Sequence, residues 1–134
     1  GGRKRDRISA VLELCDLKSV VHKAIGKLSK GFRQRVGMAQ ALLHEPDVLI
    51  MDEPTSSLTP SEQENLFRVI AKLKAAGKGV IYISHRMPEI EEITDRVSVL
   101  RDGQYIGTVN TPEVEMREII FRLGALVGQM NTGA

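Results

Sequence analysis

Val48-Leu49-Ile50-Met51-Asp52-Glu53-Pro54-Thr55-Ser56 is the stretch on which the reading of this chain turns. Four apolar residues in a row suit a strand buried on both faces of a parallel sheet. Two carboxylates follow at once, and Pro54 stops the strand. Downstream, Thr59, Pro60 and Glu62 spell a helix start: a capping threonine, proline in the first turn and the glutamate of a capping box. Leu66, Val69, Ile70 and Leu73 follow at helical spacing, and Gly77 and Gly79 end the helix. Val80-Ile81-Tyr82-Ile83 then repeats the apolar run, with Ser84-His85 behind it. Strand, helix, strand in this order predicts an α/β fold with parallel strands. Such sheets bind ligands beyond the carboxyl ends of their strands. That places Asp52, Glu53, Ser84 and His85 where chemistry belongs.

Upstream, residues 6–14 read as a helix with Ile8, Val11, Leu12 and Cys15 on one side. A connecting stretch over residues 16–27 leads to a second helix, capped by Ser29 and running to about His44, with Pro46 beyond it. After the second strand, a helix contains Pro88, Ile90 and Ile93. Residues 97–100 and 105–109 flank Asp102-Gly103, a hairpin turn. A last helix is expected from Thr111-Pro112, burying Met116, Ile119, Ile120 and Leu123, with a loose tail from Gly124.

The composition bounds the function. The chain has 134 residues, 42% hydrophobic and 27% charged, and can bury a core. Nineteen basic and 17 acidic residues leave a net charge of +2, too balanced to favour nucleic acid. Arg3, Lys4, Arg5 and Arg7 are read as a solvated helix start. The lone Cys15 allows no internal disulfide and is read as a small core residue, which fits a reducing compartment. No apolar run approaches the ~18 residues of a membrane span, and no signal peptide is seen, so any link to a membrane is expected through a partner. The start Gly1-Gly2, without Met, is expected of an excised piece.

Adjacent carboxylates at the end of an apolar strand are costly unless used. In a phosphate-hydrolysing site one of the two can hold Mg2+ through its water shell, and the other can orient and polarise the attacking water. His85 can donate a hydrogen bond to a γ-phosphate oxygen. Leu28-Ser29-Lys30-Gly31 opens a helix whose N-terminal N–H groups and partial positive charge suit an anion. Each feature alone also has a plain structural reading: a solvated strand end, a structural histidine, a simple helix cap.

Taken together they resemble one family. Leu28-Ser29-Lys30-Gly31-Phe32-Arg33-Gln34-Arg35-Val36, Leu42-Leu43-His44-Glu45-Pro46, Leu49-Ile50-Met51-Asp52-Glu53-Pro54-Thr55-Ser56 and Tyr82-Ile83-Ser84-His85 are similar, in order and spacing, to the ABC transporter ATPases. The resemblance implies the C-terminal portion of a P-loop NTPase-like domain, with parallel core strands, a helical signature segment and a C-terminal hairpin. It implies that residues 1–45 end the helical subdomain, 46–123 carry the Walker B, D-loop and H-loop part of the catalytic core, and 124–134 form a tail. Asp52 matches the Walker B aspartate and Mg2+ ligand, Glu53 the general base and His85 the switch histidine. Ser29, Lys30, Gly31, Phe32 and Gln34 fall in the signature region that contacts ATP held by the opposite subunit. Lys30 stands where Gly is usual, and Phe32 where Gln is usual. Ser57 and Thr59 fall in the D-loop, with Thr59 where Asp is usual. The cofactors implied are ATP and Mg2+. The partners implied are membrane-spanning transporter subunits and a second ATP-binding domain in a head-to-tail dimer, with no direct nucleic acid. The location implied is cytoplasmic, peripheral on the inner face of the cell membrane.

Two departures matter. No G-x-x-x-x-G-K-[ST] loop stands anywhere in the 134 residues. That loop supplies most phosphate contacts in P-loop enzymes, so the chain by itself is expected to bind ATP negligibly and not to turn it over. The halves also differ in resemblance. Residues up to about Asp52 look like exporter or gliding-motility types, and those from Pro54 onward like the simple-sugar importer type. A mosaic joined within Asp-Glu-Pro-Thr-Ser is one reading, and a single divergent subunit is the other. A non-transport ABC ATPase, or a module serving only folding or interaction, are the alternative functions.

Overall fold

Val48–Asp52 forms β1 and Gly79–Ile83 forms β2, paired in parallel with Ile50 opposite Ile81 and Asp52 opposite Ile83. The computed structural model describes residues 2–113 together with Glu118 and Phe121. A parallel pair needs a crossover, and helix α3, Pro60–Ala75, supplies it. The local chemistry explains why α3 starts there. The Thr59 Oγ1 accepts the Glu62 N–H at 3.3 Å, while Glu62 Oε2 accepts the Thr59 N–H at 3.0 Å. The helix ends at Gly77, whose φ of +79° is left-handed and costs a glycine nothing.

Leu66, Val69, Ile70 and Leu73 are all buried, as their spacing predicts, and Phe67 joins them edge-on to Tyr82 with ring centroids 6.5 Å apart. Contact with the core is made by the C-terminal end of α1, Gly2–Leu14, and by α2, Lys30–Leu42. Two short 3-10 turns, Lys18–Val20 and Ile25–Lys27, join these helices, with Leu17 and Val20 buried.

Two expectations need correction. Neither strand is buried on both faces: Leu49 and Met51 are covered, but Val48, Ile50, Ile81 and Ile83 are 47–66% exposed. The helices cover one face, and among the described residues nothing covers the other. Helix α1 begins four residues earlier than residue 6, so the basic cluster lies within it, and Ile8 is exposed rather than buried. The reason is that α1 packs through Val11 and the following Cys15 and Leu17, while its first turns project. Arg7 is the exception in that projecting part. It donates to the Leu42 carbonyl at 2.6 Å and pairs with Glu45 at 2.5 Å.

The units Gly1–Ser84 and His85–Ala134 are each compact. In the second, α4, Met87–Ile93, buries Ile90 and Glu89, the latter held by Arg86 at 3.0 Å. Strands β3, Arg96–Arg101, and β4, Gln104–Asn110, form an antiparallel hairpin. Asp102 and Gly103 turn it with φ of +51° and +75°, the pair of left-handed residues that a tight hairpin turn needs. A 3-10 turn, Thr111–Glu113, follows. The predicted last helix with Met116, Ile119, Ile120 and Leu123, and the tail from Gly124, lie outside the described residues.

Cys15 is fully buried, as its apolar setting predicts, and burial pushes its thiol up to about 11 against the opposing pull of Arg35 and Lys72. The fold therefore favours the neutral thiol. Its contribution is whole below the unfolded value near 9.0 and is lost as pH rises from there towards 11. The expected result is that a thiol reagent at pH 8 modifies Cys15 no faster than the chain unfolds. Rapid modification of the folded chain would contradict the burial.

Candidate functional site at the end of the first strand and the start of the second helix

The carboxyl end of β1 is shaped by backbone geometry. Glu53 has φ of +43°, a left-handed conformation, while its N–H donates to the Ile83 carbonyl at 2.8 Å. A side chain at such a position costs about 1–2 kcal/mol relative to the right-handed form. Strain of this kind gathers where function holds a side chain in place. Glu53 is half-buried, with Oε2 enclosed, whereas the neighbouring Asp52 is exposed. Two turns then follow, from the Ser56 N–H to the Glu53 carbonyl and from the Leu58 N–H to the Thr55 carbonyl. Thr55 is fully buried and anchors this segment. It delivers Ser57 back towards β1 and Thr59 to the cap of α3.

A groove of about 650 Å³ opens between α2 and β1. Lys30, Gln34, Asp52 and Ser57 all line it, beside Met38 and Leu49. Four of the residues singled out in the sequence thus meet in one place. Lys30 and Arg33 bring positive charge to it and Asp52 negative charge.

Gly31 and Thr59 meet elsewhere, on the carboxylate of Glu62. Ser29 caps α2, its Oγ accepting the Phe32 N–H at 3.2 Å. The Gly31 N–H donates to Glu62 Oε1 at 3.3 Å, and the Thr59 N–H to Oε2. Phe32 turns its ring to the Arg35 guanidinium, 4.2 Å away. His85 is exposed at the head of the second unit.

Arg35 escaped the sequence reading as a functional residue. Only 3% exposed, it donates to the Asp16 carbonyl at 3.2 Å and pairs with Asp16 Oδ2 at 3.3 Å. It thereby ties α2 to the segment after α1. Its i, i+3 spacing from Phe32 was the available clue. Arg35→Ala is expected to lower stability by about 2 kcal/mol, the size of a charged hydrogen-bonded contact, read as a urea midpoint. An unchanged midpoint would show that the tie carries nothing.

The family described as ABC transporter matches residues 3–56, which include α2, β1 and Asp52-Glu53. The ribose import ATP-binding protein RbsA of Lactococcus lactis subsp. cremoris is 52% identical over 101 residues, 75% of this chain and 20% of that protein. The chain belongs to the ABC transporter ATP-binding family.

Other relatives extend the match. The galactose/methyl galactoside import ATP-binding protein MglA of Haemophilus influenzae is 42% identical over 120 residues, 90% of this chain and 23% of its own length. The chain therefore spans about a fifth of the length of the curated relatives it matches. Among solved structures, a nucleotide-free ATP-binding cassette from an ABC transporter superposes with a TM-score of 0.78 at 25% identity, covering 92% of this chain and 47% of that one. The structure of cbiO1 from Clostridium perfringens, part of the ABC transporter complex cbiONQ, gives 0.77 at 28% identity, covering 94% and 51%. The α/β, P-loop NTPase-like class expected from the sequence is thus the class of its structural neighbours.

Proposed function

We propose that this ABC segment carries the signature, Walker B, D-loop and switch-histidine part of an ATP-hydrolysing subunit that energises a membrane transporter of the sugar-import type. The observation that carries the reading is the end of β1, where the left-handed, half-buried Glu53 stands beside the exposed Asp52. Glu53 is the general base, positioned by its backbone rather than by chance of rotamer. His85 steadies the γ-phosphate. Ser29 and Gly31, with Lys30, Phe32 and Gln34 around them, face ATP held by a second ATP-binding domain in a head-to-tail dimer, and Ser57 and Thr59 run along the same interface.

Mg2+ fits the residues present. The exposed Asp52 carboxylate at the strand end offers oxygen, and among the described residues no cluster of three or more acidic, His or Cys groups competes for a metal. Magnesium commonly takes one or two carboxylates and leaves its other positions to water and phosphate. Asp52 would hold it through water, and the ion would supply charge neutralisation at the phosphates.

Among the described residues no helix is long and apolar enough to cross a membrane. Contact with a transporter is therefore assigned to separate membrane-spanning subunits, on the inner face of the cell membrane. The importer reading, rather than a mosaic, is supported by the alignment with one galactose importer subunit over 90% of the chain. A pull-down with membrane subunits against one with nucleic acid separates transport from the non-transport alternative.

The 134 residues themselves are assigned no ATPase activity, because they contain no P-loop sequence. Millimolar ATP with Mg2+ is expected to leave their melting temperature unchanged. A rise of several degrees would show that nucleotide is held without that loop.

A further inference from the structure

The Glu62 carboxylate lies between two helix starts. One oxygen accepts the Thr59 N–H that begins α3, and the other accepts the Gly31 N–H in the first turn of α2. The Ser29 hydroxyl caps the same helix start, accepting the Phe32 N–H at 3.2 Å. A capping box explains the first contact fully, since it needs only residues three apart. It does not explain the second, which joins residues 31 apart. The packing is close: a Cβ added at Gly31 would stand 2.6 Å from Glu62 Cγ and 2.8 Å from its Cβ and Cδ. The absent side chain at position 31 therefore makes room for Glu62 itself. The Gly31 amide that would meet a phosphate already holds an anionic group of the same chain.

We propose that Glu62 is an internal latch: its carboxylate occupies the Gly31 N–H, and a phosphate reaches that donor, beside Ser29, only when it withdraws. This rests on the assignment of Ser29 and Gly31 to phosphate given above. The chemistry follows from competition. A helix N-terminus favours one anion, and a tethered carboxylate has a high local concentration there. Two anions sharing those donors repel. Because Glu62 also caps α3, its withdrawal would alter the D-loop end at Thr59, so the latch couples the two segments. The same donors hold the Glu62 carboxyl below its ordinary value near 4.5, the Thr59 N–H foremost, then the Ser29 hydroxyl. The latched form is thus complete above that value and is lost as pH falls through the lowered one.

The test uses the 134-residue chain, labelled with nitrogen-15, and inorganic phosphate as the probe. The Gly31 amide shift in the wild-type chain is expected to move with the acid titration of Glu62, and Glu62→Gln should abolish that movement. At pH 7, the apparent Kd for phosphate at Gly31 is expected to be at least about tenfold lower in Glu62→Gln than in wild type. Glu62→Ala serves as a second variant should the amide substitution loosen α3. A Gly31 amide blind to Glu62 titration overturns the latch, as does equal phosphate affinity in all three chains. The underlying assignment is judged separately, by ATP hydrolysis of a full-length subunit carrying this segment with Ser29→Arg. Undiminished hydrolysis there removes Ser29 from the site, whereas abolished hydrolysis with an unchanged Gly31 response removes only the latch.

Discussion

Glu53→Gln, in a full-length ATP-binding subunit that carries this segment, is expected to lower the rate of ATP hydrolysis by about 10²–10⁴-fold. The amide matches the carboxylate in shape and keeps two polar atoms, but it cannot take a proton from water. The backbone around it should not respond, because the Glu53 N–H bond to the Ile83 carbonyl involves no side-chain atom. The left-handed φ of +43° is equally available to either residue. Stability should therefore hold while turnover falls, and dimers with ATP bound should accumulate. Single-turnover hydrolysis, read beside a urea melt, measures both. Hydrolysis within about twofold of wild type would remove Glu53 as the base.

Leu66→Ala should cost about 2–5 kcal/mol of folding stability, the range for truncating a buried leucine when its surroundings cannot collapse. Leu66 is 1% exposed, with Ile70 and Leu73 on the same face of α3 and equally enclosed. The helix is the crossover between β1 and β2, so a cavity beneath it loosens both strands and the groove that β1 lines. Domains commonly hold only about 5–15 kcal/mol in total, and here four large apolar residues of the two strands stand exposed. The variant is therefore expected to unfold at much lower urea with an unchanged slope, or to be unfolded throughout. A midpoint shift worth less than about 1 kcal/mol would mean that α3 is not the centre of the core.

The groove and the latch divide the sequence-derived candidates in an instructive way. Lys30 and Gln34 lie one turn apart on α2 and face the same groove as Asp52, as helical spacing allows. Gly31, in the first turn of that helix, looks instead towards α3 through its N–H. One short motif thus serves two places. Thr59, where an aspartate is usual in the resembling family, is occupied as a helix cap through its hydroxyl. Its backbone N–H is held by Glu62, whose other oxygen accepts the Gly31 N–H, so this position is linked to the start of α2 through main-chain and glutamate atoms.

What could be read from the sequence alone was local or periodic. Thr59, Pro60 and Glu62 announce the start of α3 because every bond of the cap closes within four residues. Leu66, Val69, Ile70 and Leu73 announce the core because one helix has one inward face, whatever it packs on. Asp102-Gly103 announces its turn because few residues accept two left-handed conformations in succession. Asp52 and Glu53 stand out because paired charge after an apolar run is costly without a use. The exposure of Ile50 and Ile81 could not be read this way, since burial on the second face of a sheet depends on what else lies there. Nor could the contact of Arg35 with Asp16, or of Glu62 with Gly31, because those partners are 19 and 31 residues apart and meet only once the helices have packed. Short-range hydrogen bonds and spacing leave their mark in the order of residues, whereas partnerships across the chain exist only in its folded geometry.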